Sequence, residues 1–291
     1  MLNRYFSILK YKEKPNFILA KEKNILFKNI KVAKKIMENC EFCERKCGVN
    51  RFKESGFCKV LDKWKIFGAY EHTGEEKELV PSATLFLAGC PLRCCYCQNA
   101  PYSIEPEKGN DWSYRKVIEW INQMKKCKNI NFVTPDCYVY NILKLLNRIN
   151  IPIPIVWNSS SYYSEITAKL IKDIVDVYLL DFRYFNEDCA FKLSEIRNYP
   201  EVAKRNLLIA SKNGELLIRV LILPNHIECC AKPILKWIFD NLGENIRVNI
   251  MNQYRPCFNA YKFPEINRNI SYKEFNEVIL YAKKIGLKNI V

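Results

Sequence analysis

The sequence predicts an α/β fold, a partial (β/α)6 TIM-like barrel behind a cysteine-rich N-terminal extension. Three observations predict it. From residue 83 onward, short apolar runs alternate with longer stretches of helical period, the pattern of a parallel sheet with helices outside. Six such units are visible, too few to close an eightfold barrel, so the sheet stays open. Before residue 80 the chain is basic and then rich in cysteine, without that alternation. We divide it into an extension over 1–80 and a core over 81–291.

Residues 1–39 read as lysine-rich helical or irregular structure. Ile25, Phe27, Ile30, Val32 and Ile36 share helical spacing and predict a short amphipathic helix over 25–37. The core opens with a strand over 83–88. A helix over 113–127 follows, with Ser113 as its N-cap. Strands are expected over 131–133, 154–157, 176–180, 216–223 and 247–251. Helices are expected over 140–149, 165–171, 201–212, 234–241 and 271–285, the last stopped by Gly286. Functional groups on such a sheet gather at the C-terminal ends of its strands.

The apolar fraction of 49% suits a globular chain, and no apolar run approaches the roughly 20 residues that span a bilayer. No secretion signal is visible in Met1 to Lys14, so a cytoplasmic protein with no membrane partner is expected. Fourteen cysteines in such a setting favour metal ligation over disulfides. Cys127, Cys189, Cys229 and Cys230 read as reduced, buried small hydrophobes without a role. The formal net charge is +15, and residues 1–65 carry 17 Lys/Arg against 7 Asp/Glu. Those bases are scattered and accompany no nucleic-acid module, which favours a solvated surface over a nucleic-acid arm.

Two cysteine clusters carry the chemistry. Directly after the first core strand, Cys90, Cys94 and Cys97 form C-x3-C-x2-C. Three thiolates in one loop make a soft-ligand site for iron–sulfur, zinc or copper. A four-iron cluster usually takes four cysteines, so three leave one iron open. Cys95 satisfies neither interval and reads as a bystander. Upstream, Cys40-x2-Cys43-x3-Cys47 and then Cys58 form a candidate second metal site, with zinc ahead of an auxiliary iron–sulfur cluster. Four reduced thiols shielding the main loop are the alternative.

C-x3-C-x2-C on a β1 loop, with Tyr96 before the third cysteine, resembles the radical S-adenosylmethionine (SAM) superfamily. Further segments resemble a largely uncharacterised branch similar to the activating enzymes of pyruvate formate-lyase. They are His72-x-Gly74-Glu75-Glu76, Cys97-Gln98-Asn99, Thr134-Pro135, Pro154 to Ser160, Asp176 to Phe182 and Asn249 to Tyr254. With Cys40 to Cys58, the resemblance runs from about residue 40 to the C-terminus. It implies a [4Fe-4S] cluster on Cys90, Cys94 and Cys97, and SAM on the open iron. It also implies reductive cleavage to a 5′-deoxyadenosyl radical and hydrogen abstraction from a substrate. An electron donor such as ferredoxin or flavodoxin would be required. A protein substrate, such as a glycyl radical enzyme, is favoured over a metabolite.

Carried over residue by residue, Tyr96 and Gln98 would flank the adenine, with packing of the loop as the alternative for Tyr96. Asn158, Ser159 and Ser160 would meet the cofactor's sugar or carboxylate; a helix N-cap run is the competing reading. Arg183 would fork a carboxylate and Asp181 accept ribose hydroxyls, against a surface salt bridge. Arg219, inside an apolar strand, is expected to face a carboxylate within the barrel. One departure stands out. Where the superfamily carries Gly-Gly-Glu, this chain reads Thr134-Pro135-Asp136, so either Asp136 or Glu75/Glu76 must serve the cofactor's amino group. His72 and His226 read as structural. Two other classes compete with the enzyme: an iron–sulfur electron carrier, which expects four cysteines per cluster, and a zinc-stabilised nucleic-acid-binding protein, which leaves the Cys90 loop unexplained.

Overall fold

Six short runs rich in Val, Ile, Leu and aromatic residues become the parallel strands of an open barrel. The computed structural model describes residues 2–291. Three helices come first: α1 (Asn3–Leu9), α2 (Asn16–Glu22) and α3 (Ile25–Glu38). After the cysteine-rich segment come β1 (Trp64–His72), β2 (Ser82–Leu87), β3 (Asn110–Trp112) and α4 (Tyr114–Gln123). The chain then alternates through β4 (Ile130–Val133), α5 (Val139–Leu146), β5 (Ile155–Ser159), α6 (Glu165–Ile171) and β6 (Val177–Asp181). Helices α7 (Glu187–Ser194) and α8 (Tyr199–Asn213) both precede β7 (Glu215–Leu221). The chain ends with α9 (Lys232–Leu242), β8 (Arg247–Met251) and α10 (Tyr272–Lys284). Among the described residues no helix is long and apolar enough to cross a membrane.

The sheet order is β3-β1-β2-β4-β5-β6-β7-β8. Strands β2 and β4 to β8 run parallel, as the pattern predicts. The sequence did not reveal β1 and β3, which add an antiparallel edge. The predicted caps are present: Ser113 accepts from Lys116 N, and Ser271 with Glu274 closes a capping box. Gly286 takes a φ of 101° just past α10. Helix α7 was missed because its eight residues hold few apolar positions of helical period.

Alternate residues of each strand face the barrel interior, and they fall into two layers. The lower layer is apolar: Val156, Val177, Leu179 and Leu217 pack with Leu2, Tyr5 and Leu79. Helix α1 therefore plugs the bottom of the barrel. Its first turn carries no side-chain cap of its own. Instead the Glu215 carboxylate accepts from Arg4 N at 3.1 Å and Tyr5 N at 2.8 Å. One register step higher the interior turns polar, with Asn158, Asp181 and Arg219.

Candidate active site

The turn between β1 and β2 enters the barrel and supplies the floor of that polar layer. Glu76 is buried and meets Arg219 Nε and Nη2 at 2.8 Å each. Glu75 pairs with Arg219 Nη2 and accepts from Asn131 at 3.1 Å and Asn158 at 3.3 Å. Asn249 donates to Glu76 at 3.0 Å. Two carboxylates thus share one half-buried guanidinium, which holds Glu76 below the usual carboxylate range against its desolvation. Arg219, expected among the cofactor-binding residues, pairs here with the chain's own Glu75 and Glu76.

Above the floor lies a cavity of about 220 Å³ at the C-terminal ends of the strands. Cys90, Cys94 and Cys97 line it, together with Tyr96, Gln98, Asn158, Ser160, Asp181, Arg183 and Arg219. Among the described residues no fourth cysteine lines it. Gly89, φ 80°, makes the turn from strand to loop. Each sulfur has a neighbour able to donate. Leu92 N points at Cys90 from 3.4 Å, Arg183 Nη1 and Ser194 Oγ reach Cys94 at 3.2 and 3.0 Å, and Ser103 Oγ lies 3.1 Å from Cys97. Burial pushes the Cys90 and Cys97 thiols up, and their mutual repulsion with Cys94 adds to it. Such thiols give up their protons readily only to a metal.

The remaining predicted residues divide between cavity and scaffold. Arg183 spans from Cys94 to Asp181, reaching Asp181 Oδ2 at 2.7 Å through Nη2. Ser160 lines the cavity, and its buried hydroxyl has no hydrogen-bond partner. Tyr96 turns its ring inward, edge-on to Tyr254, and its hydroxyl meets that of Tyr184. Cys95 anchors through its backbone, donating to Leu193 O at 2.8 Å, and its thiol does not line the cavity. His226 is structural, bound through Nδ1 to Pro224 O. Asp136 is buried outside the cavity, where both its oxygens accept from Ser159 Oγ at 2.8 Å. Burial raises its pKa to about 7, although that hydrogen bond opposes the shift. Thr134, a β-branched residue, is held at φ 59° beside it. Of the three candidates for the missing carboxylate, Asp136, Glu75 and Glu76, Glu75 is the one that lines the cavity.

The upstream cysteines pack against this rim. Cys40, Cys43 and Cys58 are buried and Cys47 is exposed. The Cys137 thiol bonds to Cys58 and, with the Arg51 charge, holds Cys58 below the usual thiol range. Arg51 is fully buried and donates to the carbonyls of Val60, Cys137 and Leu61 at 2.7 to 2.9 Å. Cys137 escaped the sequence reading because it stands 79 positions from Cys58. Ser103 and Ser194 escaped it too, since a lone serine carries no spacing signal.

Three thiols and a layered polar wall at the strand ends are the marks of a cofactor-dependent barrel enzyme. Residues 84–238, more than half of the chain, match the family model of the radical SAM superfamily. The chain belongs to that superfamily, whose enzymes use a [4Fe-4S] cluster and SAM. It is 38% identical over 273 residues to the uncharacterized protein MJ0674 of Methanocaldococcus jannaschii, covering 91% of this chain and 80% of that one. Among solved structures it is similar to Streptococcus suis SuiB bound to precursor peptide SuiA, with 12% identity and a TM-score of 0.48. SuiB bound to S-adenosylmethionine gives 12% and 0.47. The alignments cover 69% of this chain, which spans less than half the length of those structures.

Proposed function

We propose that Cys90, Cys94 and Cys97 hold the [4Fe-4S] cluster and leave one iron for SAM. The carrying observation is the cavity wall itself: three thiols of one loop and no fourth. The donor set fits, because every sulfur has a neighbouring donor. When bound, the cluster and SAM would supply a 5′-deoxyadenosyl radical, by reductive cleavage of SAM, for hydrogen-atom abstraction from the substrate. Arg183, Ser194 and Ser103 donate to the sulfurs and so tune the reduction potential. Gln98 and the Tyr96 backbone flank the adenine. Asn158, Ser160 and Asp181 offer partners for ribose and carboxylate, and Arg183, which reaches from Cys94 to Asp181, would fork the carboxylate. Glu75, fixed by Arg219, serves the amino group in place of the usual Gly-Gly-Glu carboxylate. Tight pairing of Asp136 to Ser159 disfavours it for that task.

The substrate class we favour is a protein or peptide, with a glycyl radical enzyme as the leading type. The support is the resemblance of several segments to the activating enzymes. Ferredoxin or flavodoxin would deliver the electron. Cys40, Cys43, Cys47 and Cys58 are the candidate zinc site of the upstream segment; no three of their sulfurs form a group within 4.8 Å, so they would draw together around the ion.

Anaerobic reconstitution with iron and sulfide tests the assignment. Dithionite and SAM should then yield 5′-deoxyadenosine, and Cys94→Ala should abolish both cluster and product. Glu75→Gln should keep the cluster absorbance and raise the KM for SAM about tenfold. Product formation by Cys94→Ala would overturn the ligand set.

A further inference from the structure

Three of the thiols that look inert in the sequence meet at the rim of the barrel. Cys189 lies in the first turn of α7, and Cys229 and Cys230 lie in a π-turn, Ile227–Ala231, that leads into α9. Their sulfurs all fall within 4.8 Å of one another. From this geometry we infer that Cys189, Cys229 and Cys230 form a three-thiolate site for a single soft d10 ion, zinc(II) or copper(I).

The spacing is that of one ion. Metal–sulfur bonds of ~2.3 Å in a tetrahedron place sulfurs ~3.8 Å apart. Cys189 Sγ and Cys229 Sγ are 3.8 Å apart. Cys90, Cys94 and Cys97 do not form so tight a group, as befits ligands of a larger cluster. The π-turn has a reason here. A wider turn rotates successive residues through a smaller angle, so neighbours 229 and 230 can face the same thiol. Such turns recur at functional sites. The Asn186 side chain caps α7 by accepting from Cys189 N at 3.0 Å, which fixes that ligand.

The electrostatics agree. Cys230 is buried, and backbone N–H groups of Asn186 and Phe185 favour its thiolate. Burial still pushes it up, and lifts Cys189 to about 11, with repulsion among the three thiols adding to both. The nearby Lys192 is engaged with Glu265. A cation entering the trio displaces the thiol protons to solvent and becomes the charge the thiolates lack. Cys189 and Cys229 are half-buried, which gives an entry path and a fourth position for water. An ion here would tie the start of α7 to the start of α9. The far end of α7 holds the main cysteine loop, accepting from Arg93 N at Ser194 O and from Cys95 N at Leu193 O.

The test uses the full chain with its iron–sulfur cluster reconstituted. Elemental analysis should show one equivalent of zinc or copper that Cys229→Ser and the Cys189→Ser/Cys229→Ser pair lose. Cys47→Ser/Cys58→Ser should keep that equivalent, which separates it from the upstream cysteines. Cobalt(II) offered to the cluster-loaded Cys47→Ser/Cys58→Ser chain should give, by difference, tetrahedral thiolate bands that adding Cys189→Ser/Cys229→Ser removes; these mark zinc-type geometry, and the elemental result separates zinc from copper. In the Cys47→Ser/Cys58→Ser chain, one equivalent of zinc should slow alkylation of Cys229 at least tenfold. Equal metal in all variants, absent protection of Cys229, or a Cys189–Cys229 disulfide in the anaerobic chain would overturn the site.

Discussion

Gly89 shows how tightly single residues set the main loop. A methyl group there would stand 2.3 Å from Val60 Cγ2 and 2.8 Å from the Cys58 carbonyl oxygen, at a φ of 80°. Gly89→Ala should therefore destabilise the chain by about 1–3 kcal/mol and impair cluster assembly. Adding Val60→Ala should not restore cluster absorbance, because the carbonyl remains; full rescue would show that side-chain crowding alone was at issue. Asp136 makes a second prediction. Its folded pKa of about 7 lies above its unfolded value, so the native state binds the extra proton. The stability it confers is complete below about pH 4 and is lost as pH rises through about 7. Asp136→Asn keeps an acceptor for Ser159 and has no such slope. The difference in Tm, variant minus parent, should grow from pH 5 to 8; a difference that shrinks would refute the neutral carboxyl. The cysteine loop is legible in the sequence because its ligands sit within eight positions. Glu75 is only half legible, since nothing local says that its turn folds into the barrel.

At the scale of elements, legibility follows the range of the forces. Strand β8 and helix α6 appear where the pattern puts them, because periodicity alone decides them. Helix α1 could not be read. Its N-cap is Leu2 in a left-handed conformation, and its effective cap, Glu215, stands more than 200 residues away. Strand β1 likewise owes its existence to pairing with β2 across six residues. Glu215→Ala frees two backbone N–H groups and should cost about 1–2 kcal/mol. Amide exchange in α1 should quicken while that of β4 and β5 holds. An unchanged α1 would show that Tyr5 and Leu2, packed into the apolar layer, suffice to seat the plug.

For the whole molecule, the barrel is plugged below by α1 and framed above by segments from four parts of the chain. The upstream cysteine segment is locked to the main loop through Phe57, whose ring lies 3.6 Å from the Arg45 guanidinium and 4.0 Å from that of Arg93. Arg45 continues to Pro91 O at 2.9 Å and to Glu195 O, and Arg93 binds Phe57 O. The segment around Phe57 is thus braced against the loop that lines the cavity. A cation on an aromatic face contributes about 0.5–2 kcal/mol, more as it is desolvated. Phe57→Ala removes both stacks and leaves every cysteine in place. Amides 90–99 should then exchange several-fold faster, with β6 to β8 unchanged, and air should bleach the reconstituted cluster faster than in the parent. If bleaching accelerates while those amides stay protected, Phe57 acts by excluding oxygen; if neither changes, the two cysteine segments are independent and the rim is held from α7 alone.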